Sequence, residues 1–213
     1  MNIKGIIFDL DGVLLSTDKF HFLAWKKLAD RMNINFTEKD NERLRGVSRM
    51  ESLEIVLSLS DTPVKLTEEE KIALATEKND CYRDYLKTLT PEIITDEVRN
   101  TLKSLRKKGY KLAVGSSSKN TRFILEKTNL TDAFDEIADG NDIVNSKPDP
   151  EVFLKAASLI NVAPENCAVI EDAEAGLEAA TRGNMLPIAY AAAIDCPLGK
   201  IKLYKFSQLD EIF

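Results

Sequence analysis

Cysteine and histidine are scarce in this chain, with three cysteines and one histidine among 213 residues. Cys81, Cys167 and Cys196 form no C-x-x-C pair, and an odd, scattered set suits neither a disulfide framework nor a zinc site. Positive charge is not in excess either: 29 Lys and Arg face 35 Asp and Glu, for a net charge of -6. Phosphate backbones need basic surfaces, so no nucleic acid is expected as a partner. No apolar run reaches membrane-spanning length, and no signal-type apolar region leads the chain. Internal repeats and low-complexity tracts are missing as well. These absences lead us to expect a soluble, cytoplasmic protein that binds no membrane, and we expect it to be a monomer. The length suits one large domain, or a core with an insert.

What is present begins with Ile6-Ile7-Phe8-Asp9-Leu10-Asp11-Gly12-Val13. A strand-forming run stops at two aspartates one residue apart and then meets a glycine. Alternate residues of a strand face opposite sides, so a strand alone would not aim both carboxylates at one point. The chain must loosen over Leu10 to Gly12, where glycine permits the turn. Two carboxylates at a strand end suit a hard cation. They also suit a division of labour in which one attacks and the other handles protons. Alone, however, a D-x-D after a strand also reads as a plain acidic turn.

Residues 17–90 carry a helical pattern. Phe20, Ala24 and Leu28, with His21, Trp25 and Met32, mark an apolar stripe opposite Lys26, Lys27, Asp30 and Arg31. Leu53, Val56 and Leu57 belong to a second helix. Thr67-Glu68-Glu69-Glu70 reads as an N-cap with acids in the first turn of a third, running to about Leu89. With strands only on either side, residues 17–90 read as a helical cap inserted into an α/β core of residues 1–16 and 91–213. Within the cap, Gly46-Val47-Ser48-Arg49 is a polar break, and Arg49 is open to reading as a solvated charge. Lys78-Asn79 likewise fits an exposed helix face. His21, on the apolar stripe, reads as a packed core residue or a catalyst.

Beyond the cap, a helix through Val98, Leu102 and Leu105 ends in basic residues and Gly109. A strand from Tyr110 to Val114 runs into Gly115-Ser116-Ser117-Ser118-Lys119-Asn120, where hydroxyls and backbone N–H groups before a helix offer an anion site. That helix runs to about Asn129, and a short strand covers Glu136 to Ala138. Ser146-Lys147-Pro148-Asp149-Pro150 then leads a helix, and the prolines stiffen the loop that holds Lys147. A cation near a helix start is disfavoured unless an anion shares the site. Further strands are expected at Cys167 to Ile170, ending in Glu171-Asp172, at Pro187 to Tyr190, and at Lys202 to Phe206.

Alternating strands and helices give a doubly wound parallel sheet, a Rossmann-like core, with ligands at the C-terminal strand edge. Asp9 and Asp11, the Ser116 cluster, Lys147, and Glu171 with Asp172 are all expected there. Several carboxylates, one lysine and a hydroxyl cluster describe a site for Mg²⁺-assisted phosphoryl transfer.

With these four motifs in this order, the chain resembles the haloacid dehalogenase superfamily, and the cap placed after the first motif resembles its subclass with an inserted helical cap. His21 with Trp25, Gly46 to Arg49, Lys78-Asn79, Ser116 to Asn120 and Ser146-Lys147-Pro148 make it similar to the phosphoglucomutase branch. The resemblance implies that Asp9 is a nucleophile carrying an aspartyl-phosphate and that Asp11 is the general acid/base. Mg²⁺ would be held by Asp9, the Asp11 carbonyl and Asp172, with Glu171 assisting. Ser116, Lys147 and nearby amides would hold the transferring phosphoryl group. Arg49, with Ser118, Lys119 and Asn120, would grip the other phosphate. His21 and Lys78 would couple binding to cap closure, and Gly46, Val47, Ser48, Trp25, Asn79 and Ser117 would complete the substrate contacts. The implied partner is a small sugar phosphate. Ser16 stands where many relatives carry an acid, and the segment from Tyr190 to Gly199 matches poorly and receives no role.

Overall fold

Gly5–Phe8 forms β1, and all four of its residues are buried. The computed structural model describes residues 2–44 and 47–213. β1 lies between two parallel neighbours, so both of its faces are covered, which is why its sequence is a continuous apolar run rather than an alternating one. The chain then forms α1 (Asp18–Arg31), α2 (Glu38–Glu42), α3 (Arg49–Leu57) and α4 (Glu68–Leu86). It returns through α5 (Asp96–Lys107), β2 (Lys111–Gly115), α6 (Thr121–Lys127), β3 (Glu136–Ala138) and α7 (Glu151–Leu159). β4 (Cys167–Glu171), α8 (Glu174–Arg182), β5 (Leu186–Tyr190), β6 (Ile201–Leu203) and α9 (Leu209–Ile212) complete it.

The sheet has the order β3-β2-β1-β4-β5-β6, and every neighbouring pair is parallel. Winding therefore reverses between β1 and β4, where a crevice opens beyond the strand ends. Side chains alternate across the sheet. Ile7 packs on one face with Val152, Phe153 and Ala156 of α7 and Ala179 and Ala180 of α8. Phe8 packs on the other, with ring centroids 5.9 Å from Phe134 and 5.8 Å from Phe206. The expected doubly wound α/β core is what forms.

The chain divides into two compact units, one running to Ser16 and resuming at Leu89–Phe213, the other spanning Thr17–Thr88. The second unit is helical, with Trp25, Leu28, Phe36, Leu53 and Val56 in its core. Its helix starts are written in the sequence. Thr67 and Glu70 cap each other reciprocally at 2.7 and 3.3 Å. Thr37 and Asp40 do the same before α2, a helix the apolar pattern did not reveal because it spans five residues.

Three boundaries shift for local reasons. The strand expected from Tyr110 begins at Lys111, because Tyr110 N–H donates to Leu105 O at 3.2 Å and closes the end of α5. The strand expected to reach Phe206 ends at Leu203, because the N–H groups of Tyr204 and Lys205 donate to Gln208 Oε1 at 2.8 and 3.0 Å. The helix expected to reach Asn129 ends at Lys127, and Asn129 takes a left-handed φ of 51°.

Candidate active site

The site of the first unit is built where β1 and β4 end side by side. Asp9 N–H donates to Ile170 O at 3.1 Å, so the residue after β1 remains tied to β4. The chain then turns, with Gly12 N–H donating to Leu15 O at 2.7 Å. Gly12 has a φ of +82°, and a Cβ there would overlap the Asp172 carboxylate. Glycine is thus required both by the turn and by the approach of Asp172.

Lys147 reaches this point from the loop before α7. Its buried ammonium donates to Asp9 Oδ1 at 2.5 Å and Glu171 Oε1 at 2.6 Å, with the Phe153 ring centroid 4.6 Å away. Burial by itself would lower its pKa, but the Asp9 and Glu171 charges outweigh that and hold it above the ordinary value. The anion that the sequence argument required near Lys147 is therefore supplied by the protein's own carboxylates. Glu171 also accepts the Ala173 N–H at 2.9 Å through its other oxygen. Burial raises its pKa and the Lys147 charge opposes the rise. Asp172 is pushed up to about 8, first by burial and then by repulsion from Asp9, Glu171 and Asp11.

Asp9, Glu171 and Asp172 each bring a carboxylate oxygen within 4.8 Å of the others. Three carboxylates thus share one ammonium, that of Lys147. An all-oxygen donor set with surplus negative charge fits a hard divalent cation such as Mg²⁺. The Asp11 carboxylate is not in this trio.

The loop after β2 sits beside this cluster. Ser116 is buried, its N–H donates to Ala138 O at 3.1 Å, and its Oγ accepts the Ser118 N–H at 3.3 Å. Ser118 Oγ accepts the Asn120 N–H at 3.2 Å. Lys119 is exposed and Asn120 is buried. The buried Oγ of Ser117 has no hydrogen-bond partner among the described residues. A hydroxyl left in that state is what an anion subsite would use.

The second unit holds the cap residues. Gly46 lies outside the described residues. Val47 is half-buried, and Ser48 Oγ caps α3 by accepting the Glu51 N–H at 3.3 Å. Arg49 follows at the start of α3, where burial lowers its pKa and Asp80 opposes the fall. Lys78, for which an exposed face was one of two readings, is 4% exposed. Its ammonium lies 2.9 Å from His21 Nδ1 and 4.6 Å from the centre of the Trp25 ring. His21 stacks on Tyr82 with centroids 4.0 Å apart, and Asn79 beside them is half-buried. Trp25, expected among the substrate contacts, is 2% exposed, and its ring supports Lys78 within the cap core.

Sequence reasoning missed Tyr82 and Thr17, whose hydroxyls bond at 2.9 Å, and it missed Arg122 and Asp139 near the Ser116 loop. A signal for the first pair existed. Ala75, Lys78, Tyr82 and Leu86 form one buried stripe of α4, and a lysine in such a stripe is out of place unless its charge is used.

The model for the haloacid dehalogenase-like hydrolases matches residues 3–184, and the chain belongs to that family of enzymes. It is 41% identical over 186 residues to the β-phosphoglucomutase of Bacillus subtilis, covering 87% of this chain and 82% of that protein. It is 32% identical over 180 residues to a phosphorylated carbohydrates phosphatase of Thermotoga maritima, covering 84% of this chain and 80% of that one. The crystal structure of a β-phosphoglucomutase from Clostridium difficile superposes with a TM-score of 0.89 at 37% identity, over 97% of this chain and 93% of the other. Among the described residues, no helix is long and apolar enough to cross a membrane.

Proposed function

We propose that this chain is a phosphosugar mutase that interconverts β-D-glucose 1-phosphate and glucose 6-phosphate through an aspartyl-phosphate and β-glucose 1,6-bisphosphate. The observation that carries the chemistry is Asp9 held at 2.5 Å by Lys147 beside Glu171 and Asp172. In the phosphorylated enzyme, the C6 hydroxyl of glucose 1-phosphate attacks the phosphorus on Asp9. Asp11 takes the hydroxyl proton, and the bond to the Asp9 carboxylate oxygen breaks. The bisphosphate turns around, and Asp9 attacks its C1 phosphorus. Asp11 returns the proton to the departing C1 oxygen, which releases glucose 6-phosphate and restores the phosphorylated enzyme.

Lys147, Ser116 and the amides of the Ser116 loop would hold the phosphoryl oxygens during each transfer. Mg²⁺, held by Asp9, the Asp11 carbonyl and Asp172 with Glu171 nearby, would supply the positive charge that lets an anionic nucleophile meet an anionic phosphate. Arg49, whose planar fork binds two oxygens at once, would grip the phosphate not in transit. The 41% identity to a named β-phosphoglucomutase supports the mutase. The 32% identity to a carbohydrate phosphatase supports the alternative, in which water takes the phosphoryl group from Asp9.

Priming separates the two. A mutase stripped of phosphate should show a lag on glucose 1-phosphate alone, abolished by a trace of glucose 1,6-bisphosphate, with glucose 6-phosphate as product. Linear phosphate release without a lag, and no glucose 6-phosphate even when primed, would make the chain a phosphatase.

A further inference from the structure

The loop after β2 and the loop after β3 are stitched together along their length. Gly140 N–H donates to Ser118 O at 3.2 Å, and Asn141 Nδ2 donates to Lys119 O at 3.2 Å. The backbones run so close that a Cβ on Gly140 would overlap the carbonyl oxygen of Ser117. Asp139 builds the turn that brings Gly140 and Asn141 there. Its Oδ1 accepts the N–H and the Nδ2 of Asn141 at 2.8 and 3.0 Å, and its own N–H donates to Asp142 Oδ2 at 2.9 Å.

Asp139 is fully buried, and its Oδ2 accepts no hydrogen bond among the described residues. That oxygen is balanced by a charge contact, 3.2 Å from Nε of Arg122. Arg122 lies on α6, which the Ser116 loop leads into, and its Nη2 donates to Ile137 O at 2.7 Å and Asp142 Oδ2 at 3.2 Å. The far end of the second loop is anchored to α7, where the N–H groups of Val144 and Asn145 donate to the Glu151 carboxylate at 2.9 and 2.8 Å. Lys147 follows one residue further on, after Ser146. A buried carboxylate balanced in part by charge alone is a costly way to make a turn. What it secures is a fixed spacing between two loops.

We propose that Arg122 and Asp139 are positioning residues for the phosphoryl group. Their clamp holds the hydroxyls and N–H groups of residues 116–120 at a set distance from the Lys147 ammonium, so that both meet the same anion. Neither residue touches that anion. The inference rests on the phosphoryl-transfer reading above, since it assigns the two loops a common ligand.

The test uses Arg122→Gln, Arg122→Lys and Asp139→Asn, with inorganic phosphate in the presence of Mg²⁺ as the probe. Arg122 is 56% exposed in its side chain, so its variants should remain folded even if Asp139→Asn does not. We expect Arg122→Gln to weaken phosphate binding about tenfold at temperatures well below unfolding, since it loosens hydrogen bonds that set loop geometry. The KM for an aryl phosphate should rise in parallel. Arg122→Lys, which keeps the charge but not the reach to Ile137 O, should recover part of the loss. Unchanged phosphate affinity and KM in folded Arg122→Gln would overturn the inference, whatever Asp139→Asn does. If the parent protein bound no phosphate and turned over no phosphate ester, the phosphoryl-transfer reading would fall first and take this inference with it.

Discussion

Lys78 places its ammonium 2.9 Å from His21 Nδ1, within a helix stripe that is otherwise apolar. An ammonium has donors and no acceptor, so Nδ1 accepts and the ring proton sits on Nε2. Burial first, then repulsion from Lys78 and Arg49, hold the His21 pKa well below 6.5. The ring is thus kept neutral, as a hydrogen-bonding group rather than a charge.

A pH effect follows with a definite sign. The folded pKa lies below the unfolded value of 6.5, so the contribution of neutral His21 is complete above 6.5 and is lost as pH falls towards the folded value. Thermal unfolding of the parent protein should show this loss on the acid side, and His21→Gln should reduce it. Lys78→Met removes a repelling charge and should raise the His21 pKa in an NMR titration. Parallel melting curves for parent and His21→Gln would leave His21 out of the acid response.

Asp9→Asn keeps the shape of the side chain but removes the attacking charge. Turnover should fall to background on glucose 1-phosphate and on aryl phosphates, in the presence of Mg²⁺. Steady-state assays on both substrates check this, and residual activity on either would rule out a phosphorylated Asp9.

Asp172 predicts the response to metal removal. In chelated protein its pKa of about 8 exceeds the ordinary 3.8, so the folded chain holds a proton that the unfolded chain releases. The associated stability is full below 3.8 and is lost as pH rises through about 8. Melting temperatures in chelator should therefore fall with rising pH over that range, and Asp172→Asn should flatten the slope. Added Mg²⁺ should restore more stability on the alkaline side of 8, where the proton no longer competes with the cation. Calorimetric scans with and without Mg²⁺ measure both effects.

Arg49→Ala tests the grip on the second phosphate. Losing a charge-assisted, two-pronged contact typically costs about 1.5–3 kcal/mol, roughly tenfold to a hundredfold in rate. That loss should appear in mutase turnover and be far smaller for an aryl phosphate, which has one phosphate only. Equal losses on both substrates would place Arg49 on the transferring group or in the cap's fold.

Within the candidate site, legibility followed the kind of signal. Asp9, Lys147 and Asp172 were readable because each follows a strand or stands at a loop before a helix, and such positions are fixed by local pattern. The burial of Lys78 was not readable, because position on a helix gives a face, not what covers that face. Arg122 and Asp139 were not readable at all. Their pairing joins α6 to the end of β3 across seventeen residues of sequence with no periodicity to announce it.

The sequence by itself determined the doubly wound core, the helical insert and the order in which the chemical groups reach the sheet edge. Hydrophobic period, capping residues and glycine at Gly12 are local constraints, and local constraints survive in a linear string. Only the tertiary structure decided that Lys147 spends its charge on Asp9 and Glu171 and that Asp172 carries a raised pKa. It alone decided that Lys78 is buried against His21. Charge interactions depend on separation and burial, which are set when distant segments pack together, and no spacing along the chain encodes them.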